Sequence, residues 1–183
     1  LLLMSLPCFT TLCNMLQTNY GLQPILNISI EERVAMFLRI CGHNEVQRDD
    51  GLRFGRNKEI VQRKFREVLT ATELLACEYI RTPKRQELYR VPERLQVDRR
   101  YWLYFSGFVG AMDGTHVCLK VKFELLRMHW NRPDNASLNI MAICYLNMLF
   151  TYIWNGALGS CHDTAVLQIA QQSDSEFPLP LSE

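Results

Sequence analysis

The chain has 183 residues, 48% of them apolar, and 20 Lys+Arg against 19 Asp+Glu for a formal charge of +1. That is ample apolar content for the core of one domain or two small ones, and without repeats or low-complexity tracts it describes a globular protein. Seven cysteines, at 8, 13, 41, 77, 118, 144 and 161, form no CxxC pair; they suit reduced, mostly buried thiols in an intracellular protein.

Leu1-Leu-Leu-Met4 has no basic residue before it and no cleavage-site pattern, so no signal peptide is expected, and the missing initiator methionine suggests a fragment. Residues 1–107 hold 16 Lys+Arg against 12 Asp+Glu, and residues 108–183 hold 4 against 7. A basic half beside an acidic half points to a nucleic-acid-facing module joined to a metal-binding one, or to an ordinary solvated helical surface.

From Pro7 to Tyr20, Phe9, Leu12, Cys13 and Leu16 fall at helical spacing, with Gly21 placed to end the helix. Ser29-Ile-Glu-Glu32 has the capping-box form, and Val34, Met36, Phe37, Leu38 and Ile40 continue an apolar face up to Gly42. A polar segment from His43 to Gly51 follows. Asn57 is placed to cap a third helix from Lys58 to about Tyr79, with Ile60, Val61, Phe65, Val68, Leu69, Leu74 and Leu75 as its buried stripe. Between Arg53 and Arg66 lie six basic residues and one acidic one. Arg53, Arg56, Lys58, Arg63 and Lys64 are therefore candidate nucleic-acid contacts, because a helix-turn-helix presents the start of its second helix to DNA; the alternative is a solvated face with no ligand.

Thr82-Pro to Val91-Pro-Glu-Arg94 reads as a linker, since its prolines block helix continuation. The expected division is a helical domain over 1–82, a linker and aromatic packing segment over 83–107, and a second domain over 108–183. Asp98-Arg-Arg-Tyr-Trp-Leu-Tyr-Phe105 is expected to form a short amphipathic turn with its aromatics packed below the next strand.

Phe108-Val-Gly-Ala-Met-Asp-Gly-Thr-His116 reads as a strand covered on both faces that delivers Asp113 to a core edge; Asp113-Gly114 also fits a turn. A carboxylate at such an edge needs a hydrogen bond, a cation or a metal, and Mg²⁺ takes oxygen ligands of this kind. Phe123 to Asn135 is a charged, irregular stretch. Leu138 to Tyr145 and Leu149 to Trp154 form a hairpin around Asn147, too short and too interrupted to cross a bilayer. A helix then opens near Asp163, with Val166, Leu167 and Ala170 inward. Asp163 fits a capping box with Ser160 as well as a metal ligand. His116 and His162 read as hydrogen-bonding residues, and Cys118, Cys144 and Cys161 as small buried hydrophobes.

The segments GAMDGTH, NRPDNASLNI and GSCHDTAVL, in this order, resemble the G-x-I-D-G-T-H, N-R-K-G-x-x-S-Q-N-V and G-S-x-H-D-S-x-V-L of the PIF/Harbinger transposase-derived nucleases, a DDE-superfamily endonuclease family. RFGRNKEIVQRKFREVL and DRRYWLYF are similar to that family's earlier segments. The resemblance implies an α+β chain: an all-α helix-turn-helix-like domain, then a truncated RNase H-like α/β nuclease domain of three strands and a helix. It implies Asp113 and Asp163 as catalytic ligands of Mg²⁺ or Mn²⁺, with two ions driving DNA hydrolysis. It also implies DNA and a separate Myb/SANT-like DNA-binding protein as partners, and nuclear localisation. The family's acidic C-D-F-D stands here as Cys144-Tyr-Leu-Asn147 and its R-K-G as Arg132-Pro-Asp134, and its later acidic segments do not precede Glu183. The chain is thus expected not to cut DNA by itself, and a non-catalytic transposase derivative that binds DNA or protein is the second reading.

Overall fold

The computed structural model describes residues 4–84, 93–98, 100–102, 104–105, 107–108, 110–119, 136–145 and 148–178. It is an α+β protein of two compact units, Leu1–Glu78 and Tyr79–Glu183.

The first unit contains α1 (Leu6–Thr18), α2 (Ile30–His43), α3 (Gln47–Phe54) and most of α4 (Lys58–Tyr79). Phe9, Cys13 and Leu16 of α1 meet Ile30, Val34 and Phe37 of α2 and Val68 and Ala71 of α4, so the apolar spacing in all three helices faces one core. As expected, Ser29 Oγ accepts from the Glu32 N–H at 3.1 Å and Asn57 Oδ1 from the Ile60 N–H at 2.9 Å. These caps satisfy donors that the first helical turn cannot. The helix ends differ from expectation. α2 runs through Gly42 and stops at Asn44, which takes the left-handed conformation at φ 52° that asparagine tolerates. Leu69 and Leu74 of the expected α4 stripe are exposed.

Helix α3 begins within the segment read only as polar, for which no helix was expected. It shows little apolar periodicity because a buried ion pair holds it: Arg39 Nε donates to Oδ1 of the fully buried Asp50 at 3.2 Å, and Arg39 also pairs with Glu45. Gly55 then turns the chain at φ 63°, and the Arg56 N–H returns to the Gly51 carbonyl at 2.7 Å. Arg33, 1% exposed, is buried as well and donates to Glu67 Oε2 at 3.1 Å and to the Gln23 carbonyl at 2.6 Å. Burial pushes the Glu67 carboxyl up, but Lys64 and Arg33 together outweigh it and hold it below its ordinary value.

The second unit contains α5 (Glu93–Val97), β1 (Ala111–Cys118), β2 (Ser137–Cys144), β3 (Phe150–Leu158) and α6 (Asp163–Ser173). The described strands form one antiparallel sheet in the order β1-β2-β3. Among the described strands β2 is the covered one and β1 lies at an edge: seven of its eight residues are exposed, against the expectation of burial on both faces. The expected β2–β3 hairpin is present, with Met141 opposite Trp154 and Ile143 opposite Tyr152. Between Asn139 and Met141 the register shifts, and Asn155 and Gly156 oppose the single Ile140. That bulge brings Ala157 onto the face of Tyr152 and Trp154, where strict alternation would turn it away. Helix α6 covers this face with Val166 and Ala170, and Leu167 packs beside them as expected.

Tyr101, Trp102, Tyr104 and Phe105 are exposed instead of packed under a strand. Local bonds shape their turn, with Asp98 accepting from Arg100 Nη2 at 2.7 Å and from the Tyr101 N–H through its carbonyl at 3.0 Å. Cys8, Cys41, Cys77 and Cys118 are exposed free thiols, and Cys13 is buried. Residues 85–92 of the expected linker, the charged stretch 123–135 and Asn147 lie outside the described residues. Among the described residues no helix is long and apolar enough to cross a membrane.

Replacing Arg33 by Met keeps side-chain volume but removes the partners of Glu67 and of the Gln23 carbonyl. Hydrogen bonds to charged groups contribute about 1.5 to 3 kcal/mol each, and relief from burying a cation offsets part of the two lost bonds, so a net loss of about 2 to 3 kcal/mol is expected. Urea unfolding followed by the helical circular-dichroism signal measures it as a lowered midpoint.

Candidate functional site

The three segments that carry the resemblance meet at one point of the second unit. β1 supplies Gly114, β2 supplies Asn139 and the start of α6 supplies Asp163. Asn139 is fully buried and stands opposite His116 on β1. Its Nδ2 donates to Asp163 Oδ1 at 2.8 Å and to the Cys161 carbonyl at 3.1 Å. A side-chain carbon at Gly114 would lie 2.3 Å from Asp163 Oδ1 and 3.1 Å from Asn139 Oδ1. The carboxylate therefore rests over the bare Cα of β1. Beside it His116 Nδ1 lies 3.2 Å from Ser137 Oγ.

Sequence reasoning singled out Asp163 and His116 here but missed Asn139 as the residue that holds the Asp163 carboxylate against β1. An asparagine within the apolar run Leu138 to Tyr145 is the signal that was available, because a buried amide needs partners. Ser160 does not cap α6: His162 holds the cap position without a side-chain bond, and Asp163 is the first helical residue.

Asp113 lies on the other face of the sheet. Its Oδ1 accepts from the adjacent Gly114 N–H at 2.9 Å. β1 and β2 pair without a register shift, with Met112, Gly114 and His116 opposite Ile143, Met141 and Asn139, and Asp113 opposite Ala142. Side chains alternate between faces along a strand, and directly paired residues share a face. Gly114, Asn139 and Met141 belong to the face that α6 covers, so the Asp113 side chain leaves from the opposite one. The two carboxylates expected to share a metal ion thus project from opposite faces, and Asp163 Oδ1 is already occupied by an N–H donor. This pair does not fit a shared Mg²⁺ or Mn²⁺. Among the described residues no group of three or more His, Cys, Asp or Glu side chains could hold a metal ion.

The far end of α6 is pinned as well. Tyr152, buried on β3, donates its hydroxyl to Asp174 Oδ2 at 2.6 Å, and the Phe177 ring meets the Tyr152 ring edge-on at 5.3 Å. The hydroxyl and the Glu176 N–H hold the Asp174 carboxyl below the usual carboxylate range. Burial first, and Asp174 second, push the Tyr152 phenol well above its ordinary value.

The five basic residues expected to face nucleic acid divide into two sets. Arg53, Lys58 and Arg63 are exposed. Arg56 is committed within the fold, donating to both Glu32 oxygens at 2.7 and 3.1 Å and to the Asn27 carbonyl at 2.7 Å. Lys64 is buried and pairs with Glu67 at 2.6 Å. Arg63 and Arg66 line a shallow depression on α4 with Glu59, Gln62, Glu67 and Thr70.

Residues 1–73 match a family described as a domain of unknown function, DUF8040. No curated protein and no solved structure matches the chain.

The Tyr152–Asp174 pair has a definite pH signature. Because Asp174 is held low, its contribution is complete above the ordinary carboxylate value and is lost as pH falls through the lower folded value. Because Tyr152 is held high, its contribution is complete below the ordinary phenol value and is lost as pH rises above it. Tyr152→Phe is expected to lower stability at neutral pH and to flatten both flanks of the unfolding free energy measured against pH.

Proposed function

We propose that the chain derives from a Harbinger-type transposase nuclease and acts as a nuclear, non-catalytic DNA-binding module. One observation carries the derivation: GAMDGTH, NRPDNASLNI and GSCHDTAVL, which are not contiguous in the chain, contribute Gly114, Asn139 and Asp163 to a single set of contacts. That the quoted residues share one cluster supports this reading. In this reading the helical unit is helix-turn-helix-like, with α3 and α4 joined by residues 55–57, and Arg53, Lys58 and Arg63 contact phosphates. The sheet and α6 correspond to the opening of an RNase H-like domain, and a Myb/SANT-like protein is the partner that the resemblance implies.

The nuclease reading requires Asp113 and Asp163 to ligate a common Mg²⁺ or Mn²⁺. The opposed faces of these two side chains favour the non-catalytic reading. A plasmid-nicking assay on the whole chain in Mg²⁺ or Mn²⁺ is expected to show no cleavage. Nicking that disappears in Asp113→Ala would establish the nuclease instead.

For DNA, each phosphate contact releases counterions, with a slope of about −0.9 per contact in log affinity against log salt. Replacing Arg53, Lys58 and Arg63 together by Ala should weaken duplex binding and make that slope shallower by about 2 to 3, one contact per residue. Measurement by fluorescence anisotropy over a salt series decides it, and an unchanged slope would leave this face without a DNA role.

A further inference from the structure

We infer that Asp163 is a structural carboxylate, the acceptor of a latch made with Asn139 and Gly114 that fixes the entry of α6 onto the sheet. The inference stands on the contacts alone and does not depend on the proposed DNA function.

Both hydrogens of the Asn139 amide are used, one on Asp163 Oδ1 and one on the Cys161 carbonyl. This defines the amide's orientation, because a flipped amide would set its oxygen against two acceptors. Asn139 Oδ1 is buried without a hydrogen-bond partner among the described residues. It lies near the Gly114 Cα, where a weak C–H···O contact is the interaction open to it. Asp163 Oδ1 is directed at the same Cα, and a methyl group there would overlap the carboxylate. Gly114 is the one partly covered residue of β1, and Asp163 is what lies over it.

Backbone bonds beside the latch hold the turn before α6. The Gly159 N–H donates to the Ser137 carbonyl at 2.9 Å, two positions before Asn139, and the Cys161 N–H donates to Leu158 at 2.9 Å. Asp163 is also the first residue of its helix, where the dipole favours a negative charge. Here Oδ1 is turned inward, onto an amide hydrogen and a backbone carbon. The Gly114 backbone and the Asn139 and Asp163 side chains thus form one interlocked set.

Thermal unfolding of the whole chain, with EDTA and with added Mg²⁺ or Mn²⁺, tests this. Gly114→Ala and Asp163→Ala are each expected to lower Tm in EDTA by about 5 °C or more, the size of shift that about 1 kcal/mol produces in a unit of this size. The double variant is expected to be no less stable than Asp163→Ala alone, because removing the carboxylate makes room for the new methyl group. It also keeps the test readable if Gly114→Ala by itself fails to fold. Any Tm rise with Mg²⁺ should be the same in the native chain and in Asp163→Asn. Additive losses in the double variant would overturn the latch. So would an Asp163→Ala chain of unchanged Tm in EDTA that no longer responds to the metal.

Discussion

The second unit depends on how closely a helix can approach the backbone of an edge strand. Helix α6 covers one face of the sheet through Val166 and Ala170, and those two contacts alone leave it free to slide along the β2 surface. Polar pins at its ends remove that freedom. At the start, Asp163 reaches the Cα of Gly114 under the hand of Asn139; at the end, Asp174 takes the Tyr152 hydroxyl. Apolar burial stabilises without direction, whereas hydrogen bonds to buried groups are directional and costly to leave unmade. The helix is thereby set at one position, and the β3 bulge supplies Ala157 to the surface it rests on.

The helical unit uses a different arrangement, with charge inside the core. Arg33, Arg39, Asp50 and Lys64 are all buried, and each pairs with an oppositely charged side chain. Removing such groups from water is expensive, and their mutual attraction only partly offsets it, so the apolar cluster around Leu16, Val34 and Val68 supplies the larger stabilisation. The pairs link α2 to α3 and to α4. They also alter how the basic sequence around Arg53 to Arg66 is understood. Part of that charge neutralises Glu32 and Glu67 inside the unit, and only the remainder meets solvent.

The apolar spacing of α1, α2 and α4, the Ser29 and Asn57 caps, the β2–β3 hairpin and the inward face of α6 were all legible in the sequence. Each follows from periodicity or from a backbone donor that a nearby side chain can reach, both of which act within a few residues. Helix α3 was not legible, because it is held by the distant Arg39 and not by its own apolar stripe. The edge position of β1 was not legible either. An apolar run is compatible with burial on either or both faces, and only the placement of neighbouring strands decides which faces are covered.

The same division holds at the candidate site. By itself the sequence singled out Asp113-Gly114 and His162-Asp163 as polar positions beside apolar runs. Only the tertiary structure decided what they do. The pleat sends Asp113 to one face and Gly114 to the other, and the packing of α6 chooses the face of Gly114. A residue's neighbours in sequence therefore do not show which of two adjacent side chains will meet a helix fifty positions later, because that choice rests on strand pairing and sheet coverage between distant segments.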